Sequence, residues 1–167
     1  MDSTEIEDYW NSDRSISYPD AATTMYGCFK DLELKIQTSS QAILGLAAGS
    51  GMAELYLLQK LGLQSAVLVD IKPEHMDDSS IHYVKSDLLS YLEICSEKFA
   101  VVTLFGAEYV LRNTSEWKRF WQNIDRITEK GSFIFITSES WKQYALDQTR
   151  FRIHMDQGSC IIEKIID

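Results

Sequence analysis

Cysteine and proline are scarce in this chain, with three of the former and two of the latter in 167 residues. Cys28, Cys95 and Cys160 are odd in number and show no metal-ligand spacing. They argue against a disulfide framework and suit a reducing compartment. Histidine is equally sparse, and His75, His82 and His154 have no partners at the spacing a zinc or iron centre needs. No apolar run approaches the roughly 18 residues required to cross a bilayer. The N-terminal Met1 to Trp10 is acidic and lacks the charged-then-apolar build of a signal peptide. A soluble, cytoplasmic protein without membrane association is the expectation.

Positive charge is the next shortage. The formal net charge is −9, and it is uneven. Residues 1–97 carry 16 acids and 6 bases, whereas residues 98–167 carry 9 acids and 10 bases. No basic stripe is available to track a nucleic-acid backbone, which argues against such a partner. Lys118, Arg119, Arg126 and Lys130 could form a local basic face, but a solvated helix face is the simpler reading. There is also no Gly-x-Ser-x-Gly sequence for a hydrolase nucleophile, since Gly49-Ser50-Gly51 lacks that form.

What remains is an ordinary globular composition, 45% hydrophobic and 25% charged, in a length that fits one domain with its own core. The organising stretch is Ala42 to Asp70. An apolar run, Ala42 to Leu46, meets the small-residue loop Ala47-Ala48-Gly49-Ser50-Gly51. A helical pattern follows from Met52 to Leu61 and is closed by Gly62. A second apolar run, Ala66 to Val69, ends on Asp70. Such a β-loop-α-β unit, with glycines at the first turn and an acid about 20 residues on, suits a nucleotide-bearing cofactor. Small residues let the backbone approach a ligand, the helix N-terminus faces it, and the acid can accept from a ribose diol. A tight turn serving packing alone is the alternative.

Residues 1–24 are polar, with Tyr9, Trp10 and Tyr18 among the acids, and read as a flexible segment or a lid. Tyr18-Pro19-Asp20 reads as a turn and Ala21 to Leu34 as a helix weakened by Gly27. Beyond Asp70, residues 71–80 form a loop and Ile81 to Val84 a third strand. Ser86 or Asp87 can cap a helix running to Ile94. Phe99 to Phe105 is a strand buried on both faces. Glu116 to Thr128 is a helix with Trp117, Phe120, Trp121, Ile124 and Ile127 on one side, ended by Gly131. Trp117 and Trp121 then belong to the core or to a subunit contact. Ser132 to Thr137 is the fifth strand and Ser138 to Gln148 a short helix. Arg150 to Asp156 and Cys160 to Ile166 make a hairpin about Gln157-Gly158.

Five strands alternating with helices and followed by an antiparallel hairpin resemble the class I S-adenosylmethionine-dependent methyltransferases over about residues 40–167. The resemblance implies an α/β, Rossmann-like sheet of seven mostly parallel strands, with helices on both faces, in a single domain spanning 1–167. It implies S-adenosyl-L-methionine as the cofactor. In that family the first motif is an acid followed by Gly-x-Gly-x-Gly. Gly49 and Gly51 match its last two glycines, Ala47 stands for the first glycine, and Gly45 stands where the acid is expected. The alanine is accommodated if its backbone has negative φ. The missing acid normally helps to hold the cofactor's amino group.

By the same resemblance Asp70 binds the ribose hydroxyls and Ile71 is a platform for the adenine. Asp87 accepts from the adenine amino group while Leu88 packs on the ring, although Asp87 could serve as a helix cap alone. Phe105 to Tyr109, at the end of the fourth strand, line the pocket. Glu108 is the candidate base or substrate contact with Tyr109 beside it, and Tyr18 contributes from the lid; an exposed loop carboxylate is the plain alternative for Glu108. No Asn-Pro-Pro-Tyr type sequence follows strand four, which removes support for exocyclic base nitrogens or glutamine amides as acceptors. The expected acceptor is a small molecule or a protein side chain. Its pocket is built from the N-terminal segment and from Ser138 to Trp141, or is completed by a second subunit of a homodimer. Two rivals stand beside this reading: a non-catalytic member of the fold with weak or no cofactor binding, and an NAD(P)-dependent oxidoreductase, which would continue with a parallel βα unit in place of the hairpin.

Overall fold

The β-loop-α-β unit forms the middle of a sheet. A computed structural model describes residues 18–75, 77–106, 110–137, 146–156 and 158–167. Helix α1 (Tyr18–Asp31) precedes β1 (Ala42–Leu46), α2 (Met52–Leu61) and β2 (Ser65–Asp70). Then come β3 (Ile81–Lys85), α3 (Leu88–Ile94), β4 (Phe99–Leu104), α4 (Thr114–Ile127), β5 (Thr128–Ile136), β6 (Phe151–Asp156) and β7 (Cys160–Lys164). Among the described residues the seven strands form one sheet in the order β3-β2-β1-β4-β5-β7-β6. The first five pair in parallel, and β7 runs antiparallel to both β5 and β6. The chain winds outward from β1 through β2 to β3, then returns to place β4 on the other side of β1. That reversal opens a crevice outside the carboxyl ends of the strands, where ligands of open α/β sheets bind.

Alternation along the strands divides the core into two layers. Leu44, Leu46, Val102 and Leu104 face α3 and α4, whereas Ile43, Val101, Phe133 and Phe135 face α1 and α2. All six residues of β4 are buried, as a central parallel strand requires. On α4 the residues Trp117, Phe120, Trp121, Ile124 and Ile127 fall at helical spacing and are all buried. The Phe120 ring meets Trp117 at 5.6 Å and Trp121 at 5.1 Å, edge to face, so both tryptophans are core.

Several boundaries differ from the sequence reading. Helix α1 begins at Tyr18, with Pro19 in its first turn, where a missing N–H costs no helical hydrogen bond. Residues 18–24 are therefore helical, and Ala22 is wholly buried. Asn113 caps α4 by accepting from the Glu116 N–H at 3.0 Å, so that helix starts two residues early. Strand β5 follows α4 directly at Thr128. Gly131 lies inside it, at φ 87°, within an irregularity that shifts the register from Phe99↔Thr128 to Val101↔Phe133. Of the short helix expected over 138–148, residues 138–145 lie outside the described residues.

Basic side chains tie the helix ends together. Arg126 donates to the carbonyls of Leu92 and Cys95 at the end of α3. Lys98 donates to the carbonyls of Arg126 and Thr128 at the end of α4. Lys164, only 2% exposed, donates to the carbonyls of Asp125 and Thr128 and lies 3.2 Å from the Asp125 carboxylate. Cations at carboxyl ends of helices complement unpaired carbonyls and the macrodipole. Arg126 is thus part of the scaffold and Arg119 pairs with Glu93, which accounts for half of the candidate basic face. Replacing Lys164 by Met should lower unfolding stability in urea by about 2–3 kcal/mol, because buried carbonyls lose their donors. Lys98→Met, nearer the surface, should cost less than half of that.

Candidate functional site

The loop after β1 is held from below and from the side. Gly51 takes φ 79°, and a Cβ there would lie 2.1 Å from Leu68 Cδ1, so only glycine fits. The Gly51 N–H turns back onto the Ala48 carbonyl at 2.9 Å before α2 begins. Ala47 does not have the negative φ that would accommodate an alanine without strain. Its φ is 51°, in the left-handed region that costs an alanine about 1–2 kcal/mol.

Asp70, at the carboxyl end of β2, holds that loop. Its Oδ2 accepts from the Gly49 N–H at 2.9 Å and its Oδ1 from the Lys72 N–H at 2.8 Å. One carboxylate therefore joins the loops after β1 and β2, and each oxygen keeps a lone pair for a further donor. Burial pushes the Asp70 carboxyl above its ordinary range, against the lowering effect of the two amides. The segment after Asp70 folds over the glycine loop. The Glu74 N–H approaches the Gly49 carbonyl at 3.5 Å, and His75 lies against the Tyr83 ring with centroids 4.4 Å apart.

Asp87 caps α3, accepting at Oδ1 from the Ser90 N–H at 3.0 Å. Burial raises its pKa, but the bonds from Ser90 outweigh it and hold the carboxyl below the ordinary range. Capping does not remove Asp87 from the crevice. One hollow is lined by Ala47, Asp70, Ile71, Asp87, Leu88 and Val110, with Arg112 and Glu116 at its α4 side. Ala47 from the loop, both acids and the apolar pair Ile71 and Leu88 thus share one hollow, whereas Gly49 and Gly51 are not among the residues that line it.

Other expected site residues lie elsewhere. Phe105 is 4% exposed and packs in the layer beneath α1 and α2, so it belongs to the core and not to the hollow's wall. Glu108 and Tyr109 lie outside the described residues, as do residues 138–141 and the side chain of Tyr18. Gly45 is not on the wall either. A Cβ on it would meet Glu54 Cγ at 2.7 Å, Leu68 Cδ2 at 2.8 Å and Glu54 Cδ at 3.0 Å. The glycine makes room for a glutamate that the sequence reading missed.

Glu54 rises from the first turn of α2 and is 1% exposed. Its Oε1 accepts from the Thr103 hydroxyl at 2.7 Å, whereas Oε2 has no hydrogen-bond partner among the described residues. Burial drives its pKa up to about 7, partly offset by the Thr103 bond and reinforced by the Asp70 charge. The one available signal in the sequence was a glycine in a buried strand followed by an acid one turn into the next helix. Among the described residues no group of three His, Cys, Asp or Glu side chains could hold a metal, and no helix is long and apolar enough to cross a membrane.

No family model and no curated protein matches the sequence. Solved structures do. A protein described as a methyltransferase, yhhF of Escherichia coli, superposes with a TM-score of 0.62 at 12% identity, covering 89% of this chain and 87% of its own. SMU.1697c of Streptococcus mutans, described as a methyltransferase in complex with S-adenosylhomocysteine, gives 0.54 at 13% identity over 84% and 94%. The N-methyltransferase NodS of Bradyrhizobium japonicum gives 0.55 at 11% identity over 89% and 98%. The chain has the class I methyltransferase fold.

The Glu54 carboxyl gives this fold a measurable pH signature. The folded chain keeps the Glu54 proton up to about pH 7, whereas an unfolded chain releases it near 4.5. Between those values the folded state binds more protons, so stability falls as pH rises. Glu54→Gln removes the effect. Its stability relative to wild type should climb between about pH 5 and 8 by a few kcal/mol, of the order of 3. Thermal melts across that range read it directly, and parallel curves for the two proteins would contradict the assignment.

Proposed function

We propose that this chain is a single-domain S-adenosylmethionine-dependent methyltransferase acting on a small molecule or a protein side chain. The observation that carries the reading is that Ala47, Asp70 and Asp87 line one hollow together with Ile71 and Leu88. The donor set fits an adenosyl group: a carboxylate for a diol, a second acid for an exocyclic amine, and apolar side chains for a flat ring. When bound, the cofactor supplies an activated methyl on a sulfonium, and displacement at that carbon needs alignment and water exclusion more than a protein nucleophile.

This chain's own residues then have the following work. Asp70 accepts from the ribose hydroxyls while keeping the loops after β1 and β2 in register. Asp87 accepts from the adenine amino group, and Ile71 and Leu88 flank the ring. Glu108 and Tyr109, between Gly106 and Val110, are the proposed contacts to the acceptor, with Glu108 taking a proton if the acceptor must lose one. The antiparallel β7, inserted between β5 and β6, speaks against a nicotinamide-dependent oxidoreductase. A non-catalytic member of the fold remains the second reading, favoured by the strained Ala47 and by Gly45 in the acid's place.

Calorimetric titration with S-adenosylhomocysteine separates the two. The enzyme reading expects saturable binding at one site per chain. Asp70→Asn, which retains an acceptor for the loop, should weaken it by about tenfold or more through loss of charged hydrogen bonds to the ribose. No heat at millimolar ligand would favour the non-catalytic reading.

A further inference from the structure

The first strand lacks its acid, but the place of that acid is not empty. Glu54 Cγ and Cδ fill the volume that a side chain at position 45 would occupy, at 2.7 and 3.0 Å from where its Cβ would stand. The glutamate crosses β1 at this glycine to reach Thr103, the residue paired with Gly45 in the adjacent strand β4. Gly45 does not have positive φ, so backbone strain does not require a glycine there. What excludes a side chain is the glutamate itself, together with Leu68.

A buried carboxylate with a vacant oxygen is a costly arrangement unless a cation or a donor completes it. Glu54 Oε2 is buried and has no hydrogen-bond partner among the described residues, while Oε1 is fixed by Thr103. Among the described residues, no lysine or arginine is among the groups that shift its ionisation. The charge it feels is the acidic Asp70, which belongs to the cofactor hollow. An acid without such a counter-charge, in the first turn of the helix that follows the 47–51 loop, suits a cationic ligand group better than a structural ion pair.

We propose that Glu54 replaces the strand-one acid from the neighbouring helix, and that its free oxygen receives the α-ammonium group of the cofactor's methionine portion. The inference rests on the methyltransferase reading and adds a residue to it. Relocation explains the otherwise unfavourable pair of Gly45 and Glu54 in one step: one position surrendered its side chain so that the other could deliver a carboxylate to the same volume. Thr103 acts as a positioning residue, donating to Oε1 so that Oε2 is left for the ligand.

Two ligands isolate the claim. S-adenosylhomocysteine carries the ammonium group, whereas 5′-methylthioadenosine has the nucleoside and the sulfur without it. Calorimetry at about pH 8, where Glu54 is ionised, should show Glu54→Gln weakening S-adenosylhomocysteine by about tenfold or more. The same variant should leave 5′-methylthioadenosine within about twofold, a readout that a merely structural role would not split. Gly45→Asp combined with Glu54→Ala puts the acid back on the strand, and should bind S-adenosylhomocysteine more tightly than Glu54→Ala alone. Unchanged S-adenosylhomocysteine affinity in Glu54→Gln, equal losses on both ligands, or a double variant no better than Glu54→Ala would each overturn the proposal. A wild-type chain that binds 5′-methylthioadenosine and S-adenosylhomocysteine equally overturns it too, while leaving the enzyme reading intact. Failure of wild type to bind either ligand removes that reading and this one together.

Discussion

The carboxylate of Asp70 is the constraint on which the site depends. It accepts from the backbone of the loop after β1 and from the segment after β2, so two crossover connections share one anchor. Without it, Ala47 would have little reason to stay at a φ that alanine avoids. Asp70 also lines the hollow with Ile71, Asp87 and Leu88. One residue thus both fixes the loop and borders the hollow, which links the loop geometry to whatever occupies the crevice.

The scaffold beneath serves that crevice by being stiff. A fully buried β4 sits beside β1, and apolar helix faces close both sides of the sheet. The helix ends that meet away from the site are closed by Arg126, Lys98 and the buried Lys164. In contrast, the link between β2 and β3 carries no helix in the described residues, and it lies against the glycine loop. The protein has placed its regular packing under the sheet and its irregular backbone at the carboxyl ends of the strands, as ligand-binding α/β folds do.

Sequence reading reached the sheet because its signals were local. Apolar runs, the small-residue loop and the acid of Asp70 each announce themselves within a few residues, and the terminal hairpin showed as alternation around Gln157-Gly158. Its errors arose where a neighbour distant in sequence decides the outcome. Gly131 resembles a helix stop but sits inside β5, because Thr128 already pairs with Phe99. Phe105 continues the apolar run of β4 and turns into the core beneath α1 and α2. Glu54 gave only a faint sign along the chain, an acid one turn into the helix after a glycine-bearing strand, since its surroundings come from Gly45 on one strand and Thr103 on another. A missing acid looked like a loss until its volume was found to be occupied by another.

The account stands or falls on the place where an adenosyl group binds, and a crystal structure of the chain with S-adenosylhomocysteine tests that most directly. It should show the ribose hydroxyls on the two oxygens of Asp70 and the adenine between Ile71 and Leu88, with its amino group on Asp87. A nucleoside lodged anywhere else, or a hollow that stays vacant at saturating ligand, would contradict it.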